Sequence, residues 1–386
     1  MFGAVNMIDG GHKPYLDGLP SAPADASKAA AVATAAYRVL DGLGIAPVPA
    51  LPAATRAWLK TEYDAYIVGL PGEPDDDPTE AGIAAGAAAA AKMLSERTGD
   101  GRFGPSPSVC GEDPGEWRPT ATNPASPPGV IPLTCVPTGV LDGSAWVGNV
   151  TPFSAKSSSQ FRTRGPHALT STKYAEEYDE VKSLGGNGTT TPSARTQAQT
   201  DMAWFFTVNP VPMYYATFRA IATAEGLSLV EQARLFGLLG LSGADAFINC
   251  WNDKAHYSFW RPITAIRLGN SDTNADTVGD ASWTSLVAAP PYPDHPSGYN
   301  CITGATMRTG KAVLGDRTSF TLNATPTIAG VATPMTRSYS RFWDVTEDTI
   351  VARMYQGIHF RTPDEQAAEL GKSVANWVTA HELQPR

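Results

Sequence analysis

The 386-residue sequence is poor in charge: charged residues make up 17% of it, against the ~25% usual for soluble domains. What charge there is sums to -9 at neutral pH. A net-acidic chain is not drawn to polyanions, which argues against a general nucleic-acid or acidic-membrane binder and makes any cationic site a local one. Long apolar runs are missing too, since none approaches the ~20 residues of a membrane span. The Ala-rich stretch AGIAAGAAAAAKML (81–94) is too short and too weakly hydrophobic to be one. A soluble protein is the expectation. The opening MFGAVNMIDG lacks the basic start, apolar middle and small-residue cleavage site of a secretory signal, and fits a processed or shortened start. Strand-type alternation is scarce and no internal repeat is visible. Cysteine is scarce as well, at four residues. Cys110 and Cys135 lie in a Pro/Gly-rich loop and could bridge, the one hint of an oxidising compartment, so a secreted or periplasmic location stays open. Cys250 and Cys301 fall in apolar helical contexts that suggest packed thiols.

What is present is helical periodicity, interrupted by loops that draw on 36 Gly and 32 Pro. Apolar residues at three- and four-residue spacing predict helices over 24–44, 53–70, 78–97, 169–185, 194–208, 213–226 and 229–254. Residues 98–168 are rich in Pro, Gly, Ser and Thr, a length unusual for a structureless loop, and are expected to wrap the surface or cover a site. A Thr-rich insert over 317–334 could hold a short hairpin, and two helices follow it. The fold class expected is all-α, packed as helix bundles.

Three segments within 229–386 could meet around one anion. In WNDKAHYSFWRPITAIR (251–267), Lys254 and Arg261 flank aromatic residues, and Pro262 ends any helix before it. In PPYPDHPSGYNC (290–301), Asp294 or His295 can cap a helix and Pro296 suits its first position. That would leave the N–H groups of Ser297 and Gly298 free at the positive end of the helix dipole, where oxyanions bind. In EDTIVARMYQGIHFRTPDEQAAELG (347–371), Arg353 and His359 would lie about 240° apart on one continuous helix. Gly357 is a plausible stop between them, and Thr362-Pro363-Asp364-Glu365 reads as a capping box restarting a helix. Lys254, Arg261 and Arg353 together match a tetrahedral trianion, with His359 free to bond its central atom.

These segments resemble the three-part signature of the vanadium-dependent haloperoxidases, members of the type-2 phosphatidic-acid phosphatase superfamily: Lys254 with Arg261-Pro262, then Pro296-Ser297-Gly298-Tyr299, then Arg353 with His359. FWRPITAIR, PPYPDHPSG, GIHFRT and the upstream YAEEYDEVKSLG look like the bacterial branch, and the likeness covers roughly residues 1 to 385. The resemblance implies a single all-α haloperoxidase-like domain over 1–386. It implies vanadate as cofactor, with phosphate able to occupy the same site. Lys254, Arg261, Ser297, Gly298 and Arg353 would hold its oxygens and His359 would ligate vanadium. Trp251 and Tyr292 match positions that flank the halide in chloroperoxidases. Hydrogen peroxide and a halide or small organic molecule are the implied partners, and a homo-oligomer stays open.

One position departs from the signature. Tyr299 stands where the family carries an acid/base histidine, and a phenol with a reference pKa near ~10 is a poor base at neutral pH. His295 and His256 are the nearby histidines that could replace it. A phosphomonoesterase needs a leaving alkoxide protonated and should suffer most from the change, whereas peroxidation leans on the metal. The expectation is therefore a vanadate-dependent peroxidase with catalytic residues His359, Lys254, Tyr299 and His295, taking bromide or iodide more easily than chloride. An acid phosphatase with a histidine nucleophile, or an impaired phosphate- or vanadate-binding homologue, is the alternative.

Overall fold

The structure, a computed structural model, describes residues 1–43, 51–71, 77–105, 110–119 and 144–386. They form twelve α-helices and two small hairpin sheets, so the all-α reading holds. The chain divides into two compact units, one of Met1–Gly104, Ile221–Leu241 and Trp377–Arg386, the other of Pro105–Ala220 and Ser242–Asn376.

The first unit is built on α1 (Phe2–Asp9), α2 (Lys28–Gly42), α3 (Ala53–Val68) and α4 (Asp77–Glu96). Ser27 caps α2, its hydroxyl accepting from Ala30 N at 3.2 Å. The Ala-rich stretch is the middle of α4, and its composition serves close packing. A Cβ on Gly82 would strike the Ser27 carbonyl, and one on Gly86 would strike that of Ala31. The two helix backbones therefore touch over a layer that includes Ala31, Ala35, Ala85 and Ala89.

The second unit contains α5 (Thr172–Leu184), α6 (Gln197–Phe205), much of α7 (Pro210–Ala224) and α8 (Leu229–Tyr257), then α9 (Pro262–Arg267), α10 (Gly298–Leu314), α11 (Phe342–Tyr355) and most of α12 (Arg361–His381). A reciprocal capping box between Thr196 and Gln199 starts α6. The Thr-rich insert is a hairpin, longer than expected: β1 (Phe320–Ala324) pairs antiparallel with β4 (Met335–Tyr339), and β2 (Thr327–Ile328) with β3 (Val331–Ala332) at its tip. An aromatic core of Tyr174, Tyr178, Phe259, Trp260, Trp283 and Phe360 joins α5 to the segments around α9 and α12.

Two close approaches set up the site. Cβ atoms on Gly304 or Gly371 would collide with the backbone of the facing helix, so α10 and α12 pack main chain to main chain. Ser297 N then donates to Pro363 O at 3.0 Å, holding the starts of these helices together. From α5, Glu180 grips Arg361 and Glu177 accepts from the Thr362 hydroxyl.

The irregular segment does wrap a helix. One face of α8 presents Asp245, Asn249, Asn252 and Asp253 to it. Asp245 accepts from Phe153 N at 2.6 Å, Ser154 N at 2.8 Å and Ala155 N at 2.7 Å. Asn249 takes Phe161 N, Asn252 bonds Gly148 O and Arg162, and Asp253 takes both Thr163 N and its hydroxyl. Cys110 is disulfide-bonded. Cys135, its expected partner, lies outside the described residues, as do 106–109 and 120–143 of the long loop. Cys250 and Cys301 are buried free thiols on α8 and α10, as expected.

Two local expectations need correcting. Pro296 does not open α10: the helix begins at Gly298 with Ser297 in the N-cap position, and neither Asp294 nor His295 caps it. Thr362 does not cap α12, which starts at Arg361 because Glu177 takes the threonine hydroxyl instead. Pro262 opens a helix as well as following one, since α8 ends at Tyr257 and Pro262 is the first residue of α9.

Candidate oxyanion site

The sequence candidates converge in the second unit. Lys254 projects from the last turn of α8, Arg261 sits at the N-cap of α9, and Ser297, Gly298 and Tyr299 begin α10. Arg353 lies in the last turn of α11, and His359 in the connector to α12. Gly357, at φ 76°, ends α11 in the left-handed conformation, and its Cα rests so closely on the Gly185 carbonyl that no side chain fits. This break lets Arg353 and His359 serve one place. All of these side chains are buried; Lys254 is 1% exposed and Arg261 0%.

Arg261 is fixed on three sides. Its Nε donates to Tyr292 O at 2.9 Å, and Nη1 donates to Ile358 O at 2.7 Å and lies 3.0 Å from His359 Nε2. Lys254 Nζ donates to Pro293 O at 2.6 Å and Asp294 O at 3.2 Å. It stands 5.6 Å from the ring centre of Trp251 and 5.0 Å from that of Tyr292. Trp251 is seated against Gly298, where a Cβ would come within 2.7 Å of the indole. Arg353 lies over the Tyr299 ring, its Cζ 4.7 Å from the centroid.

Not every buried polar group here is matched. Arg261 Nη2 and Arg353 Nε have no hydrogen-bond partner among the described residues. Ser297 Oγ, beside Asp364, and Tyr299 OH, beside Tyr214, make no bond of normal geometry. Buried polar atoms are rarely left so; two of these belong to guanidinium groups that act on His359, and Tyr299 lies against one of them, which marks a place for a polar ligand. The N–H of Ser297, expected to be free, is committed to Pro363 O. The amide contribution thus begins at Gly298, whose first-turn neighbours lack intrahelical acceptors.

Burial governs the electrostatics. It lowers the Lys254 pKa to about 8, with Arg261 adding to the effect. Burial, and then Arg261, Arg353 and Lys254, hold His359 well below its usual value, so its imidazole is neutral. Burial raises the Tyr299 phenol despite the pull of Arg353. Asp294 is pushed up to about 7 by burial, against Arg261 and Lys254.

The two stand-in histidines fare differently. His295 is fully buried with Nε2 2.9 Å from Thr163 Oγ1, and burial and Lys254 bring its pKa to about 3. Thr163 also lines a cleft of about 660 Å³ with Arg162, His167, Glu365 and Gln366. His256 is exposed and packs edge-on to Tyr257. The sequence reading did not place Asp294 or Asp364 beside the anion, taking both chiefly as helix-start signals. Asp364 accepts from Asn300 Nδ2 at 2.7 Å, and Asn300 in turn accepts from Thr349. The signal for Asp294 was a carboxylate set in a loop whose other residues carry no fixed charge.

Comparison with known proteins bears on the fold and the family. Residues 234–385 match the family described as the VCPO second helical-bundle domain. The vanadium chloroperoxidase of Curvularia inaequalis is 23% identical over a region covering 54% of this chain and 45% of that protein, so the chain spans about half the length of its curated relative. Among solved structures, an apo-type bacterial vanadium-dependent chloroperoxidase aligns with TM-score 0.73 and 16% identity over 98% of this chain and 89% of that one. A bacterial vanadium-dependent iodoperoxidase aligns with TM-score 0.65 and 20% identity over 100% and 95%. The chain has the fold of the vanadium haloperoxidases, and the resemblance read from its motifs is borne out at that level.

Proposed function

We propose that this protein is a vanadate-dependent peroxidase that oxidises a halide with hydrogen peroxide. The observation that carries this reading is the set of buried, unmatched donors on Arg261 and Arg353, which act on a neutral His359, together with those on Ser297 and Tyr299 at the start of α10. These groups fit a tetrahedral oxyanion: two guanidinium groups and an ammonium balance its charge, hydroxyls and amides bond its oxygens, and a neutral imidazole has a lone pair for its central atom. Vanadate held there would supply Lewis acidity that activates peroxide toward attack by halide.

The chain's own residues do the rest. Lys254 holds a positive charge in an apolar wall and, with its pKa at about 8, is the buried acid closest to neutral pH among the cations. Tyr299, its pKa raised, donates a hydrogen bond and does not act as a base. His295, neutral at any pH well above about 3, is a poor proton donor, so it positions Thr163 and the loop rather than replacing the family's histidine. Trp251 and Tyr292, with ring centres 5.3 Å apart beside Lys254, supply the apolar flank suited to a weakly hydrated halide, bromide or iodide before chloride.

The test is bromination of a phenolic dye by purified protein given orthovanadate, peroxide and bromide, set beside hydrolysis of p-nitrophenyl phosphate without vanadate. Vanadate-dependent bromination is expected. Halogenation that persists after vanadate is stripped, or phosphatase activity alone, contradicts the reading.

A further inference from the structure

We propose that Asp294 is the positioning residue for His359, holding the imidazole with its proton on Nδ1 and leaving Nε2 as the atom offered to the oxyanion. The inference rests on the vanadate reading above and assigns a residue that the signature motifs do not include. Asp294 Oδ1 lies 2.6 Å from His359 Nδ1, with both side chains at most 1% exposed. Arg261 Nη1 lies 3.0 Å from Nε2 and 3.4 Å from Nδ1, across the ring rather than on one lone pair. A contact shared by both ring nitrogens does not choose the tautomer, which the carboxylate decides. An ionised carboxylate only accepts, so the proton of a neutral His359 is on Nδ1, directed at Asp294 Oδ1, and Nε2 keeps its lone pair. Arg261 Nη1 is held by Ile358 O, which leaves the unmatched Nη2 for a ligand.

Asp294 is itself rigidly held, as a positioning group must be. Its N–H donates to Phe259 O at 2.8 Å, its carbonyl accepts from Lys254, and Oδ2 faces Phe360 N at 3.5 Å. The carboxylate and the histidine it orients therefore come from two segments 65 positions apart that share a cluster of backbone bonds. Outer partners of this kind commonly change metal affinity by about 10- to 100-fold.

A competing role exists, because Asp294 Oδ1 is also 3.5 Å from Arg261 Nη1 and could serve only as a counter-ion. Vanadate and phosphate separate the two. Phosphate is bound through its oxygens, whereas vanadate also needs the His359 lone pair, so a positioning role affects vanadate selectively. In Asp294→Ala the dissociation constant for orthovanadate, measured by calorimetry, should rise about 10- to 100-fold, with that for inorganic phosphate changing several times less. Nitrogen-15 spectra of His359 in ligand-free protein should show protonated Nδ1 in the wild type and mixed tautomers in the variant. Asp294→Asn keeps an acceptor and should retain the tautomer with an intermediate loss of selectivity, which decides the matter if the alanine variant does not fold. Equal weakening of both anions, or a wild-type His359 protonated on Nε2, overturns the proposal. A wild type that binds phosphate and vanadate alike would instead overturn the functional reading and leave the tautomer result to judge Asp294.

Discussion

Along one face of α8, Asp245, Asn249, Asn252 and Asp253 are each bonded to the irregular strap between residues 148 and 163. One residue further, Lys254 reaches a cluster in which two guanidinium nitrogens and two hydroxyls have no proper acceptor. Both clusters are buried and polar, and both bring together distant segments. They differ in closure: the first is met by strap amides, the Thr163 hydroxyl and Arg162, which pairs with Asp253 Oδ1 at 3.0 Å, whereas the second keeps four atoms unmatched. Buried polar groups that are matched internally hold a fold in place, whereas those that converge and remain unmatched are arranged for something else.

The largest expected effect tests the closed cluster. Asp245→Ala strands the three amides of Phe153, Ser154 and Ala155, and should cost about 3 kcal/mol or more of stability in urea unfolding. A loss below about 0.5 kcal/mol would mean that the strap does not depend on the ladder. In the open cluster, His359→Ala should weaken orthovanadate binding about 100-fold, roughly 2.8 kcal/mol, without a comparable loss of unfolding free energy. A variant that loses stability instead would erase the distinction.

A smaller effect comes from pH. Lys254, with its pKa lowered to about 8, is charged below that value and neutral above it. Phosphate affinity should therefore hold steady just below pH 8 and fall by up to about tenfold per unit above it; a flat profile to pH 9.5 would show that Lys254 does not face the anion. The smallest expected change is Tyr299→Phe, which removes a hydroxyl of abnormal bonding and should alter oxyanion affinity less than about threefold. Turnover should change more than affinity, and steady-state kinetics beside calorimetry would reveal the reverse.

The helices and most of the open cluster were legible in the sequence because each depends on local pattern. Spacing of apolar residues located α2 to α8, and Gly357 marked the break that frees His359. The closed cluster was not legible, since nothing local links Asp245 to Phe153 across the chain. Helix starts were misjudged at Pro296 and Thr362 for a related reason. Propensity favoured them as openers, but Pro363 O claims the Ser297 amide and Glu177 claims the Thr362 hydroxyl, both through tertiary contacts. Asp294 was read as a cap for its position in the loop, while packing turns its carboxylate to His359.

The most direct measurement is anomalous diffraction at a vanadium-sensitive wavelength from crystals soaked in orthovanadate. A single strong peak at bonding distance from His359 Nε2, with its oxygens met by Arg261 Nη2, Arg353 and the first turn of α10, is the result expected. Absence of a peak there, or vanadium bound elsewhere with these donors still unmatched, would contradict the account.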